Sequence, residues 1–309
     1  MRGPGDDAAV VRAGGALAVT SIDTMVENVH FRLGEGWADA AEVGHRSLAG
    51  ALSDLAAMGG ARAGEAYVSL TLPPGFSERE ALELIAAARS LAGRCEVTIA
   101  GGDVVAGPVL AVTVTVVGWA QEPGELVGRD GARAGELVGV TGALGAAGAL
   151  LSLQQGRAAA AADATALLRR ARRPQPRLLA GRALAGAGVS AMIDLSDGLA
   201  TDAAHVGRAS GAELLVTLEQ LPLAPGVAEV ADALGVPPAE LAAAGGEDYE
   251  LCFCVAPDAR AAVELALARC GEADAAPTWV GEVRAGPPGA TLLGSGGNVV
   301  RAEGFEHRW

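Results

Sequence analysis

Acidic residues recur in short, turn-like motifs along the chain. They are Gly5-Asp6-Asp7, Asp23 closing an apolar run, Ser53-Asp54, Gly101-Gly102-Asp103, Asp194-Leu195-Ser196-Asp197-Gly198 and Gly245-Gly246-Glu247-Asp248. Each has an ordinary reading on its own. Aspartate before glycine is a common turn residue, and Ser196 or Asp197 would serve as an N-cap. As an ordered set at strand ends and Gly-rich turns, where ligands usually bind, they point to divalent cations. Magnesium takes oxygen ligands, one or two carboxylates at a time, and shares them with substrate phosphates. Several such ions neutralise and orient a triphosphate.

What the chain lacks sharpens this reading. All 23 basic residues are arginine; there is no lysine. A phosphate loop of the Walker type, the protein-kinase fold and Schiff-base chemistry each require lysine, so all three are excluded. The formal charge of −14 argues against nucleic acid as a partner. It is compatible with a polyanion bridged by metal. Cys95, Cys252, Cys254 and Cys270 include no C-x-x-C pair. Cys252 and Cys254, two apart in an apolar run, share one face of a strand as buried thiols. No apolar run approaches the length of a membrane span, and no secretory leader is visible, so a cytoplasmic location is expected. Gly142, Gly145 and Gly148 do not have the dinucleotide-binding spacing.

The elements that must position these residues are legible from periodicity. At 309 residues, two domains are the natural expectation. Strands are expected at 16–23, 65–73, 96–101 and 109–120, and helices over 38–59 and from Ser77 to Arg94. Ser77 and Glu80 form a capping box for the second helix. The Pro- and Gly-rich stretch 121–136 marks the boundary, giving domains 1–128 and 129–309. Beyond it, strands are expected at 137–141, 190–195, 213–219 and 250–256, with short ones near 279 and 291. Helices are expected at 145–155, 164–172, 177–186, 198–210, 226–234 and 258–269. The class is α/β (α+β), twice over.

The motifs also resemble a known family. GDDAAVV, SIDTMVENVHF, LSDLAAMGG, IAGGDVV, RDGARAGELVGVTGALGAAG, IDLSDGLATD, GGEDYEL and GFEHRW follow in order the pattern of the thiamine-monophosphate kinases. These belong to the aminoimidazole-ribonucleotide-synthetase-like superfamily. The resemblance implies direct transfer of the γ-phosphoryl group of ATP to thiamine monophosphate. It implies a homodimer built through an N-terminal β-sheet or barrel domain with helices, and a C-terminal α/β domain over the nucleotide. It implies several Mg²⁺ ions on Asp6, Asp23, Asp54, Asp103, Asp194 and Asp197, with oxygens of Ser21 and Ile22. Gly102, Asp103, Arg129 and Ser196 would contact ATP, and His30, Glu247 and Phe305 the thiamine substrate, Phe305 by stacking on the cationic thiazolium. Asp103, Asp194, Asp197 and Arg129 would carry catalysis. The sequence departs from the family at Val104-Val105, where threonines are usual, and at Glu136 and Glu306, where aspartate is commoner. Another ATP-using enzyme of the same superfamily, acting on a different acceptor, is the alternative.

Overall fold

The computed structural model describes residues 1–3, 5–158, 164–302 and 304. Its first sheet contains β1 (Ala9–Ala13), β2 (Ala16–Val26), β3 (Arg62–Leu72), β4 (Thr98–Ala106) and β5 (Ala111–Ala120), in the order β1-β2-β5-β3-β4. Only β3 and β4 run parallel. Helices α1 (Ala40–Ala57) and α2 (Glu78–Arg94) cover one face. Asp39–Glu42 and Ser77–Glu80 capping boxes fix their starts. They touch closely at Gly44, where a Cβ would lie 2.1 Å from the Leu84 carbonyl oxygen.

The period-2 pattern of β5 shows which face is which. Val112, Val114 and Val116 are buried against the helices. The outward rows carry exposed Ile22 and Tyr67, both aligned with Thr115, and Val105 on the edge strand. Val11, aligned with Ala18, is exposed on that face too.

The second sheet contains β6 (Leu137–Thr141), β7 (Ala191–Asp194), β8 (Glu213–Thr217), β9 (Leu251–Val255), β10 (Pro277–Arg284), β11 (Gly289–Leu293) and β12 (Val299–Val300). Their order is β12-β11-β8-β10-β6-β9-β7. The helices of this half are α3 (Ala146–Gln154), α4 (Thr165–Arg172), α5 (Leu178–Gly186), α6 (Leu199–Ser210), α7 (Val227–Leu234), α8 (Pro238–Ala244) and α9 (Arg260–Arg269). Strand β9 separates two cores. Leu251, Phe253 and Val255 join the cluster that contains α1, while Cys252 and Cys254 face the cluster under α3 and α6. The shared face expected for the two cysteines is therefore present, and the thiols are free and buried.

Three elements were not anticipated: β1, α8 and β12. Two strands run past their expected ends. Strand β2 passes Asp23 because Thr24, Met25 and Val26 keep pairing with Thr113, Val112 and Ala111. Strand β4 carries Gly101-Gly102-Asp103 in its middle, because the β-branched Val104 and Val105 continue the ladder on β3.

Candidate active site

Three carboxylates meet between the sheets. Asp7 sits in the bend before β1, Asp54 in the last turn of α1, and Asp194 at the end of β7. One oxygen from each lies within 4.8 Å of the other two. Burial and the neighbouring negative charges push Asp54 well above its ordinary range and Asp194 up to about 8. Burial also raises Asp7, against the pull of Arg129. The Arg129 guanidinium holds Asp7 in a two-point contact, donating from Nη2 at 2.6 Å and from Nε at 3.2 Å. Ser21 Oγ donates to Asp54 Oδ2. Asp194 Oδ2 is buried and has no hydrogen-bond partner. A buried orphan oxygen facing two further carboxylates fits a hard, oxygen-seeking divalent cation.

The cluster opens into a cavity of about 790 Å³ whose wall includes Asp23, His30, Asp54, Asp194, Ser196, Asp197 and Glu247. Asp23 is raised by burial. Gly50 of α1 makes room here: a Cβ would lie 2.6 Å from Asp23 Oδ2 and 3.3 Å from the Tyr249 hydroxyl. Val26 N donates to His30 Nδ1 at 3.0 Å. Arg46, buried in α1, forms an ion pair with Glu247 and donates to the His30 carbonyl at 3.3 Å. Glu247 and Tyr249 have φ of 61° and 51°. This left-handed backbone is costly for side chains with a Cβ and is found mostly where the surroundings enforce it. The loop is tied to the Asp194 strand by Glu247 N to Ser196 O (2.8 Å) and Tyr249 N to Leu195 O (2.9 Å).

Behind the loop lies a buried polar hub. Glu250 accepts from Arg177 at 2.7 and 2.6 Å, from Thr141 at 2.7 Å, and from Arg170.

The cavity and its acidic cluster thus gather Ser21, Asp23, His30, Asp54, Asp194, Ser196, Asp197 and Glu247 from the expected set. Arg129 lies behind Asp7 and does not line the cavity. Asp6, expected as a metal ligand, instead accepts from Arg2 at 2.6 Å, and the neighbouring Asp7 joins the cluster. The motif Gly5-Asp6-Asp7 signalled the position but not which of two adjacent, largely buried carboxylates joins Asp54 and Asp194. Ile22 points its side chain to the outward face, where it is 66% exposed. Gly102 and Asp103 lie on the exposed edge strand. Asp103 aligns through Ser69 and Thr113 with Thr24, on the outward face. Asp23 is on the adjacent inward row, three strand spacings away, or about 14 Å. Phe305 lies outside the described residues. Arg46, Glu250 and Arg177 were not singled out in the sequence, because their pairing is long-range.

Comparison with known proteins gives a consistent picture. A family described as AIR synthase related protein, N-terminal domain, matches residues 5–120, and its C-terminal domain counterpart matches residues 133–292. The thiamine-monophosphate kinase of Escherichia coli (strain K12) is 35% identical over 316 residues, covering 99% of this chain and 91% of that protein. The enzyme of the same description from Mycobacterium tuberculosis (strain ATCC 25618 / H37Rv) is 36% identical, covering 82% and 74%. Among solved structures, AaThiL complexed with AMPPCP and TMP superposes with a TM-score of 0.84 at 27% identity, covering 98% of this chain and 91% of that one. The thiamine-monophosphate kinase of Stenotrophomonas maltophilia K279a gives 0.80 at 33% identity, covering 97% and 92%. Hydrogenase maturation protein HypE in complex with ATP, at 20% identity, shares the fold. With these matches running over nearly the whole of both chains, the protein belongs to the thiamine-monophosphate kinase family and is a kinase.

Proposed function

We propose that the chain transfers the γ-phosphoryl group of ATP to thiamine monophosphate, with Mg²⁺, giving thiamine diphosphate and ADP. The observation that carries this reading is the Asp7–Asp54–Asp194 cluster, whose Asp54 and Asp194 line a cavity large enough for a small-molecule substrate. The neighbour complexed with AMPPCP and TMP, an ATP analogue beside the acceptor, supports the same pair of substrates. Divalent ions held by these three carboxylates, with Asp23 and Asp197 beside them, would neutralise and orient the phosphates.

The protein's own residues supply the rest. Arg129 fixes the Asp7 carboxylate, Ser21 orients Asp54, and Arg46 holds Glu247 at the cavity wall. The acceptor is a phosphate monoester with a second pKa of about 6, so it is largely dianionic at neutral pH. One of its oxygens attacks the γ-phosphorus, the bond to the β-phosphate oxygen breaks, and ADP leaves. No side chain has to remove a proton.

Residues 1–128 and 129–309 are the two domains in this reading, and each contributes carboxylates. The outward face of the first sheet bears Val11, Ile22, Tyr67 and Val105, all exposed. An uncovered apolar sheet face of this kind supports a homodimer built through it, and Asp103 would then face the partner. No helix among the described residues is long and apolar enough to cross a membrane, which accords with a cytoplasmic enzyme.

The test is incubation with ATP, Mg²⁺ and thiamine monophosphate, following thiamine diphosphate and ADP by chromatography. Product that requires both acceptor and metal is expected. ADP formed at the same rate without acceptor would overturn the reading.

A further inference from the structure

We propose that Trp37 is the platform for the flat, cationic ring end of the acceptor, and that Arg32 is the cation it exchanges for. The inference rests on thiamine monophosphate being the acceptor.

Three aromatic rings line the cavity among the described residues: Phe31, Trp37 and Tyr249. Phe31 and Tyr249 are 6% and 5% exposed, with their rings committed to packing. Trp37 is only half-buried. The guanidinium of Arg32 lies 4.8 Å from its ring centroid. Guanidinium is itself a planar, delocalised cation that stacks on aromatic faces. A face that accepts it has the shape and quadrupole to accept a thiazolium. Arg32 is an exposed residue, so it can leave the ring for water at little cost.

The position of Trp37 matches the ring end of the substrate. The carbonyl of Gly36, next to Trp37, accepts from Gln154 Nε2 at 3.0 Å and from Arg172 Nη2 at 3.4 Å. Segment 34–38 is thereby pinned to the last residue of α3. The first turn of α3, at Gly148, touches Gly245 beside Glu247. Six helical residues separate Gly148 from Gln154, or about 9 Å. The cavity therefore runs from the carboxylates and the Gly245–Glu247 loop at one end to Trp37 at the other. The phosphate belongs at the first end, which leaves the rings at the second. Arg172 does not repel a cation there strongly, because Glu42 accepts from it at 3.2 Å.

The experiment compares wild type with Trp37→Ala, Trp37→Phe and Arg32→Ala in steady-state kinetics. It also measures tryptophan fluorescence during titration with thiamine monophosphate alone. Trp37→Ala should raise KM for thiamine monophosphate about tenfold, with kcat and KM for ATP little changed. Trp37→Phe, which keeps an aromatic face, should recover most of that loss. Arg32→Ala, which uncovers the face, should lower KM, a sign that simple loss of packing would not give. Quenching by thiamine monophosphate should be present in wild type and absent in Trp37→Phe.

An active wild type with unchanged KM in Trp37→Ala would overturn the platform and leave the kinase reading standing. Equal rises in KM for Trp37→Ala and Arg32→Ala would also overturn it, in favour of a purely structural strap. If wild type forms no product yet shows the Trp37-dependent quench, the platform stands and the transfer reading fails.

Discussion

Replacing Asp194 with Asn takes one charge from the most crowded point of the molecule and keeps its size. The oxygens of Asp7, Asp54 and Asp194 lie within 4.8 Å of one another. At an effective dielectric constant of about 20, each ionised pair repels by about 3 kcal/mol. Asp194 belongs to two of the three pairs. Without divalent cations it relieves the strain by holding a proton, with its pKa pushed up to about 8. Its folded value then exceeds its unfolded one, so folding takes up protons, and stability falls as pH rises from about 4 to about 8. In chelator at pH 8.5, Asp194→Asn should therefore be more stable than wild type by about 3 kcal/mol, a discount for the charge of Arg129 on Asp7 being included. Its stability should also depend less on pH across that window. Added Mg²⁺ should close most of that gap. Wild type gains about 2.7 kcal/mol at a hundredfold excess over the dissociation constant, and the variant gains little. Thiamine diphosphate formation should drop by at least about a hundredfold. Urea denaturation with and without Mg²⁺ at pH 5 to 8.5, beside the chromatographic assay, measures all of this. A variant less stable than wild type in chelator at pH 8.5, or one stabilised equally by Mg²⁺, would refute the reasoning.

Other substitutions probe the scaffold. Arg177→Ala leaves the buried Glu250 short of its two-point partner, and should cost about 3–5 kcal/mol in urea denaturation; a loss below about 1 kcal/mol would mean that Arg170 and Thr141 suffice. Gly44→Ala puts a Cβ 2.1 Å from the Leu84 carbonyl oxygen, forcing α1 and α2 apart. A loss of about 1–3 kcal/mol is expected despite alanine's better helix propensity, and a more stable variant would show that the helices separate freely. Burial pushes the Cys252 thiol up to about 12 and Cys254 well above its ordinary value. At pH 8 both stay protonated and shielded. Burial also pushes the half-buried Cys95 up to about 11, so a thiol reagent should label Cys270 first, Cys95 slowly and the β9 pair not at all in the native protein, by mass spectrometry. Rapid native labelling of Cys252 would contradict its place in β9.

The strands and helices of the site were largely legible because their faces are periodic. The alternation of Val112, Val114 and Val116 and the capping boxes at Asp39 and Ser77 are local signals, and local signals survive in one sequence. Their ends were less legible. The strand expected over 96–101 ended at Gly101, but the partner strand β3 carries β4 on to Ala106. The choice between Asp6 and Asp7 was not legible at all. Both have the same chemistry, and only the fold pairs Asp6 with Arg2 and brings Asp7 against Arg129, Asp54 and Asp194. The same holds for Arg46 with Glu247, whose partners are 201 residues apart. Motif order identified the family, but the pairing of charges is a property of the fold.

The shared core explains why those pairings hold. Leu48, Leu52 and Leu55 of α1 belong to the same buried cluster as Leu184, Met192 and Phe253 of the second half. Helix α1 is thus sandwiched between the two sheets, and it carries Arg46, Gly50 and Asp54 on one side. Its rotation is set by leucines that touch both sheets, so the reach of Asp54 toward Asp7 and Asp194 is set there too. The 4.8 Å spacing cannot form in residues 1–128 alone, because Asp194 is missing, nor in residues 129–309, because Asp7 and Asp54 are. Cation affinity should then track the integrity of this core. A cavity made at Leu52, fully buried, would loosen α1 and weaken Mg²⁺-dependent stabilisation without removing a single ligand.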